Sequence, residues 1–184
     1  YHYLRRARQM GAIPPGADWF TDKMPLNETH LGLISLVFPR SPLIRVLRHP
    51  LDVVLSVFAN QMTHGFFCAY ELETAARHFV LVTELIEHYE RELRPNLLLV
   101  RYEDLVRDLE TGVRSMLGFI GVPFREGCLR FHENRRFART ASYAQVSEKL
   151  YARSCFRYRN YMRHLEPVIP ILESVIDRLG YTID

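Results

Sequence analysis

Two short apolar runs constrain the fold of this chain more than any other feature. Leu43–Leu47 lies between Pro42 and Pro50, and Leu97–Val100 follows Pro95. Runs of this length, rich in branched residues and bounded by proline, are typical of strands buried inside a sheet. Each run is followed by a segment with helical features, and alternating strands and helices are typical of parallel βα units. The sequence therefore predicts an α/β fold.

The spacing of apolar residues and the capping signals predict the helices. They are expected over residues 1–10, over 27–38 with Asn27 as the N-cap, from Pro50 onward, over 70–93, from the second strand to residue 120, and over 167–179. Two strands make a poor sheet, and the chain begins with Tyr1 rather than methionine. We therefore expect residues 1–184 to form a single but partial domain whose first strand lies upstream.

The composition argues against several classes of protein, namely nucleic-acid binders, membrane-spanning proteins and metal-binding or disulfide-rich proteins. The formal net charge of +3, with 24% charged residues, argues against a general nucleic-acid binder. The sequence contains no apolar run of about 18 residues, so it predicts no membrane span. Its three cysteines and eight histidines lack the spacing of a disulfide framework or a metal site.

The segment after the first strand has the features of a phosphate site. Arg48 follows the predicted strand, at the sheet edge where open α/β folds bind ligands. Ser56 lies one turn beyond Asp52 on the next helix, and helix N-termini offer backbone N–H groups to anions. An arginine and a serine at this spacing are also compatible with a surface arginine and an ordinary helix serine.

Several motifs occur in one order along the chain. They are Thr21-Asp22-Lys23-Met24-Pro25-Leu26-Asn27, His30-Leu31-Gly32, Phe38-Pro39, Arg48-His49-Pro50-Leu51-Asp52, Arg101-Tyr102-Glu103-Asp104-Leu105, Leu129-Arg130-Phe131-His132 and Arg139-Thr140-Ala141-Ser142. Together they resemble the sulfotransferase family, above all its bacterial branch fused to helical repeats and, more distantly, tyrosylprotein sulfotransferases. The resemblance implies a P-loop-kinase-like α/β sandwich with a central parallel sheet.

The resemblance also implies a reaction and its participants. Members of the family transfer a sulfuryl group from 3′-phosphoadenosine 5′-phosphosulfate to an acceptor hydroxyl, release adenosine 3′,5′-bisphosphate and need no metal. The implied roles are 3′-phosphate binding by Arg48 and Ser56, adenine contact by Tyr102, charge stabilisation at the transferred group by Lys23, and closure over the nucleotide by Arg139, Ser142 and Arg157. Glu103 and Asp104 are interpreted as acids at a helix N-terminus.

Two parts of the family's site do not occur in this sequence. It has no Gly-rich loop of the P-R-S-G-T type and no Walker motif, because neither Lys23 nor Lys149 follows a glycine. No glutamate precedes Lys23 to serve as the base. We therefore expect the phosphosulfate loop and the base upstream of Tyr1 and no activity in the isolated chain. A cytoplasmic location is a separate expectation.

Two other functions stay open. One is an ATP-dependent kinase on a similar sheet, which would need metal-binding carboxylates and a lysine-bearing phosphate loop. The other is a non-catalytic binding module derived from a sulfotransferase. The acceptor class is open as well, because Met62, His64, Phe66, Phe67 and Tyr70 could form an acceptor rim or cap the core.

Overall fold

The structure is a computed structural model that describes residues 2–60, 67–133 and 148–184. Its strands are β1 (Leu43–Leu47) and β2 (Leu97–Arg101). Its α-helices are α1 (His2–Gln9), α2 (Leu31–Val37), α3 (Pro50–Ala59), α4 (Leu72–Leu93), α5 (Tyr102–Arg107), α6 (Leu109–Ile120), α7 (Met162–Leu165) and α8 (Ile169–Arg178). Short 3₁₀ helices occupy Pro25–His30, Phe67–Tyr70, Glu126–Glu133, Arg157–Tyr161 and Glu166–Val168.

The two strands pair in parallel, as the sequence predicted. The register runs from Leu43 opposite Leu97 to Leu47 opposite Arg101, so both strands end at one edge of the sheet. The prediction that β1 is fully buried was wrong, since Ile44 and Val46 expose 38% and 55% of their surface. Among the described residues the sheet has only these two strands, so apolar positions along it stay partly uncovered.

Most helices match the sequence prediction, and the differences have local causes. The helix expected from Asn27 instead begins at Leu31, because Pro25 starts a 3₁₀ turn whose N-cap is Met24. The side chain of Asn27 donates to Asp22 Oδ1 at 3.2 Å, so it caps no helix. Helix α4 begins at Leu72, two residues later than expected.

The segment after β2 forms two helices instead of one. Asp108 ends α5 and caps α6, its Oδ1 accepting from the backbone N–H of Thr111 at 3.1 Å. Such a capping bond stabilises a helix start by about 1 kcal/mol. Gly121 ends α6 with φ +72°, a left-handed conformation that glycine adopts without a steric cost. The last predicted helix begins at Ile169, after a 3₁₀ turn over Glu166–Val168.

The main core brings the C-terminal helix beside the end of β1. Its fully buried members include Leu51 and Val54 of α3, Ala76 of α4, and Leu172 and Ile176 of α8. Burying a side chain of this size stabilises the fold by about 1.5–3 kcal/mol. Because α8 packs on both α3 and α4, the last residues of the chain lie under the loop that joins β1 to α3.

Candidate functional site

Arg48 follows the carboxyl end of β1, and its guanidinium group has two partners. Its Nη2 lies 3.3 Å from Asp52 Oδ2, and the same nitrogen donates to the carbonyl oxygen of Ser154. The side chain of Asp52 is fully buried, whereas that of Arg48 exposes 21% of its surface. One end of the guanidinium group is therefore fixed, and part of the side chain faces solvent.

The same guanidinium group contains a donor without an acceptor. Arg48 Nε is buried and has no hydrogen-bond partner in the described part of the chain. Asp52 Oδ2 likewise lacks a hydrogen bond, because its contact with Arg48 is an ion pair without hydrogen-bond geometry. A buried polar group without a partner costs about 1–3 kcal/mol. An anionic oxygen beside Nε would supply the missing acceptor, which fits a phosphate ligand.

Tyr102 begins α5 at the end of β2, next to Arg48. The Arg48 Cζ atom lies 5.4 Å from the centre of the Tyr102 ring, within the range of a cation–π contact. Burial raises the pKa of the Tyr102 phenol, and a hydrogen bond links this phenol to Ser154. The structure thus brings together an arginine and an aromatic ring that are far apart in sequence.

The start of α3 offers fewer donors to an anion than the sequence predicted. Pro50 has no N–H group, and Leu51 N donates to the Nδ1 atom of His49 at 3.2 Å. Asp52 N and Val53 N both donate to the His49 carbonyl oxygen, at 2.9 and 3.1 Å. The expectation that backbone N–H groups help to bind a phosphate here was wrong, because His49 already accepts from the first turn. An anion would have to be bound by side chains.

Ser56 lies one turn after Asp52 on the same face of α3 and is half-buried. Its Oγ accepts from Asn60 Nδ2 at 3.3 Å, so its own O–H is the donor it could offer to a ligand. Arg48 contacts Asp52, and Ser56 follows Asp52 along the helix. This order is compatible with the predicted pairing of Arg48 and Ser56.

Lys23 lies in the exposed loop before the 3₁₀ turn at Pro25. The neighbouring Asp22 accepts from the hydroxyl group of Tyr3 and from Asn27 Nδ2. Across the described ranges, no ion pair of Lys23 is present. Its ammonium group is therefore exposed, while both oxygens of the adjacent carboxylate have other partners.

Some of the remaining predicted residues are exposed, and the others lie outside the described ranges. Arg157 is exposed at the start of its 3₁₀ helix, with its Cζ 5.5 Å from the ring centre of Tyr161. Arg139 and Ser142 lie outside the described residues, as do Met62, His64 and Phe66. Phe67 and Tyr70 expose 80% and 64% of their surface, so these two do not cap the core.

Sequence reasoning missed the polar groups beneath the site. Glu103, interpreted as an ordinary helix N-terminal acid, is buried and accepts from His49 N and from the Tyr181 hydroxyl group, both at 2.9 Å. His49 Nε2 lies 3.1 Å from the carbonyl oxygen of Thr182. No short-range pattern could have identified these partners, because Glu103 and Tyr181 are 78 residues apart.

The hydrogen bonds of His49 define its protonation state. Nδ1 accepts from Leu51 N, so Nε2 carries the proton that it donates to Thr182. Burial lowers the pKa of His49, while the bond to Thr182 and the charges of Asp52 and Glu103 partly oppose this shift. The imidazole is also stacked on Tyr158, with ring centres 4.2 Å apart. His49 is therefore a neutral structural group beneath Arg48.

A comparison with known families decides where the chain belongs. The profile of the sulfotransferase family matches residues 2–126, a range that includes β1, β2, Arg48 and Tyr102. The chain belongs to the sulfotransferase family. This confirms the resemblance at the level of the family, and the mixed α/β structure with its small parallel sheet agrees with it.

The sulfotransferase chain is also similar to a longer protein. It is 29% identical over 183 residues to an uncharacterized protein of Aquifex aeolicus (strain VF5). The match covers 97% of this chain but 23% of that protein. The sulfotransferase chain thus spans about a quarter of the length of this relative.

Membrane-spanning helices and metal-binding clusters do not occur in the described residues of the sulfotransferase chain. None of the helices there is both long and apolar enough to cross a membrane. The same residues contain no group of three or more histidine, cysteine, aspartate or glutamate side chains that could hold a metal ion.

Proposed function

We propose that this chain is part of an enzyme that transfers a sulfuryl group from 3′-phosphoadenosine 5′-phosphosulfate to an acceptor hydroxyl. In this proposal the described residues bind the 3′-phosphoadenosine end of the donor. One observation carries it: Arg48, at the carboxyl edge of the sheet, has a buried Nε without an acceptor and lies 5.4 Å from the ring centre of Tyr102. A phosphate and an adjoining base are the kinds of group that such a pair binds.

The arginine is well suited to a phosphate because part of its geometry is already fixed. Asp52 and the Ser154 carbonyl hold Nη2, so binding need not order a free side chain. Arginine presents several donors in one plane, which match the oxygens of a phosphate. In the proposed site the phosphate accepts from Nε, and Ser56 adds a neutral O–H donor.

The charge balance indicates that other cations take part. Asp52 lies beside Arg48 and offsets its positive charge, so this pair alone attracts a phosphate dianion weakly. We assign the additional positive charge to Arg139 and Arg157. Tyr102 takes the adenine, and its neutral phenol suits contact with an uncharged base.

The transfer step involves Lys23 and Ser142. The acceptor oxygen forms a bond to sulfur as the bond from sulfur to the bridging phosphate oxygen breaks, and the hydroxyl proton passes to a base. Negative charge develops on the bridging oxygen, where the Lys23 ammonium group stabilises it. Ser142 binds the sulfonate oxygens. No P-R-S-G-T-type loop occurs in the chain and no glutamate precedes Lys23, so we assign neither the base nor the phosphosulfate loop to a residue of this chain.

Calorimetric titration of the full-length protein tests the proposal. Adenosine 3′,5′-bisphosphate and AMP differ only by the 3′-phosphate that Arg48 is proposed to bind. Two to three charge-assisted bonds make the expected preference for the bisphosphate about 10²-fold or more, without Mg²⁺. Equal affinities for the two nucleotides would contradict the sulfotransferase site. Binding that requires Mg²⁺ and favours ATP would also contradict it and would favour a kinase.

A further inference from the structure

Each strand is followed by two residues, of which the first lies at the candidate site and the second is buried. These residues are Arg48 and His49 after β1, and Tyr102 and Glu103 after β2. Arg48 and Tyr102 come first in their pairs and lie beside each other at the candidate site. His49 and Glu103 come second in their pairs and are buried. The backbone N–H of His49 donates to Glu103 Oε1 at 2.9 Å, so a buried bond joins the two strand ends directly beneath the site.

Both oxygens of the Glu103 carboxylate have partners. Oε1 accepts from His49 N, and Oε2 accepts from the Tyr181 hydroxyl group at 2.9 Å. The guanidinium of Arg101 stacks on the Tyr181 ring, with its Cζ 4.4 Å from the ring centre. A carboxylate is costly to bury and stays buried only where its hydrogen bonds are satisfied. Glu103 is therefore held in one position by groups from two distant parts of the chain.

The C-terminal segment completes this support from below. Asp52, the ion-pair partner of Arg48, accepts from Tyr158 N at 2.8 Å through its Oδ1. His49 reaches the carbonyl oxygen of Thr182. Residues 158–182 thus brace both the Arg48 loop and the carboxylate that ties this loop to the end of β2.

We infer that Glu103 is a positioning residue for the nucleotide, a role that rests on the proposed function. By tying the backbone of His49 to the start of α5, it fixes the separation of Arg48 and Tyr102. That separation must match the distance between the 3′-phosphate and the adenine of one ligand. Glu103 touches neither group and acts through Arg48.

The test measures the affinities for adenosine 3′,5′-bisphosphate and for AMP in each variant of the full-length protein. Glu103→Gln keeps the size of the side chain but replaces one acceptor oxygen with an NH₂ group, which cannot accept from both donors. The bisphosphate-to-AMP preference should fall by about tenfold, the equivalent of about 1.4 kcal/mol. A loss of folded protein lowers the apparent affinity for both nucleotides alike, so it leaves this ratio unchanged.

A double-mutant cycle separates positioning from a general structural effect. In an Arg48→Ala background, Glu103→Gln should cause no further loss of the preference, because the group through which Glu103 acts is gone. Independent losses that multiply in the double variant would overturn the inference. So would an unchanged preference in Glu103→Gln alone.

Tyr181→Phe keeps the experiment decisive if Glu103→Gln does not fold. It removes the bond to Oε2 and leaves the bond between His49 N and Oε1, so the preference should fall by less than in Glu103→Gln. Tyr89→Phe, at a tyrosine that packs against the separate cluster of Leu31, Val82 and Ile86, is the matched control and should change nothing. If Tyr181→Phe also leaves the ratio unchanged, the inference is wrong. A wild-type protein without any preference would instead contradict the proposed function itself.

Discussion

At the scale of single residues, Arg48 has two properties that suit a ligand site: a fixed position and a donor without an acceptor. Its Nη2 is fixed by Asp52 and by the carbonyl oxygen of Ser154, whereas its buried Nε has no acceptor in the described structure. A surface arginine has neither property, since water satisfies all of its donors. This distinction separates Arg48 from the arginines that pair with acids on exposed helix faces, such as Arg77 and Arg114.

Arg48→Ala should remove most of the preference for adenosine 3′,5′-bisphosphate over AMP. The loss expected is about 10–10²-fold, because each lost charge-assisted bond is worth about 1.5–3 kcal/mol. AMP affinity itself should change little. Calorimetric titration of both nucleotides measures this, and Arg77→Ala, which breaks an exposed i,i+4 ion pair, is the control. A parallel loss for both nucleotides would argue against a 3′-phosphate contact.

Lys23→Ala should lower turnover in the complete enzyme by roughly 10²–10³-fold with little change in donor affinity. The reason is that Lys23 is proposed to stabilise charge that develops only during transfer. Initial rates and equilibrium donor binding, measured on the same protein, separate the two effects. Lys149→Ala is the control, since Lys149 is the only other lysine of the chain. Equal losses in donor binding and in turnover would mean that Lys23 already binds the donor in the ground state.

His49 should make the stability of the protein depend on pH. Burial lowers its pKa below the value of about 6.5 that a histidine has in an unfolded chain. Below pH 6.5 the unfolded chain therefore binds a proton that the folded chain does not, so stability is lost as the pH falls. Above this value the contribution is constant. The loss should not exceed about 1.4 kcal/mol per pH unit.

Thermal unfolding between pH 7.5 and 5 measures this effect in the wild type and in His49→Asn. Asparagine can still accept from the N–H of Leu51 but does not titrate. As the pH falls, the unfolding temperature of the wild type should decrease more than that of the variant. A constant difference between the two unfolding temperatures would mean that His49 does not titrate upon unfolding.

At the scale of elements, the turn after α8 determines where the C-terminal segment meets the sheet. Arg101, the last residue of β2, donates to the carbonyl oxygen of Leu179 and stacks on Tyr181. Gly180 lies between these two contacts with φ +68°. The turn therefore needs a residue that tolerates a left-handed backbone and leaves room for the arginine.

Gly180→Ala should destabilise the protein by roughly 1–2 kcal/mol. An L-residue is strained at this φ, and a Cβ atom would lie 3.0 Å from Arg101 Nη2. Chemical denaturation measures the change in the free energy of unfolding. Gly118→Ala on α6 is the matched control, because nothing lies within 4 Å of a Cβ there and alanine favours a helix. Equal effects of the two substitutions would contradict the argument.

At the scale of the whole molecule, this chain belongs to the sulfotransferase family, and we propose that it holds part of the family's site. The family profile covers residues 2–126, and the chain matches 23% of a longer relative. Its 184 residues contain no P-R-S-G-T-type loop and no glutamate before Lys23.

The isolated 184-residue chain should transfer no sulfuryl group, whereas the full-length gene product should do so. The reason is that binding the 3′-phosphate alone neither positions the sulfonate nor accepts the acceptor's proton. A radiolabelled donor with tyrosine peptide, glycan, lipid and phenol acceptors measures both proteins. Labelled product from the isolated chain would contradict the expectation. No product from either protein would contradict the proposed function.

Local signals determined much of this structure. The positions of β1 and β2, the start of α3 at Pro50 and the end of α6 at Gly121 follow from apolar runs and from the conformations that proline and glycine allow. The placement of Arg48 beside Tyr102 was also predictable, because parallel strands end at one edge. These features depend on neighbours in sequence or on a general rule of sheets.

Other features were decided only by tertiary structure. The burial of Glu103, the neutral state of His49 and the unsatisfied Nε of Arg48 all depend on residues 154–182, which are distant in sequence. Local propensity carries no information about which distant group meets a carboxylate or a guanidinium once the core has formed. The sequence by itself determined where most of the helices and strands form and at which edge of the sheet Arg48 and Tyr102 lie. The packing of the C-terminal segment decided which polar groups at that edge are fixed and which Arg48 donor lacks an acceptor.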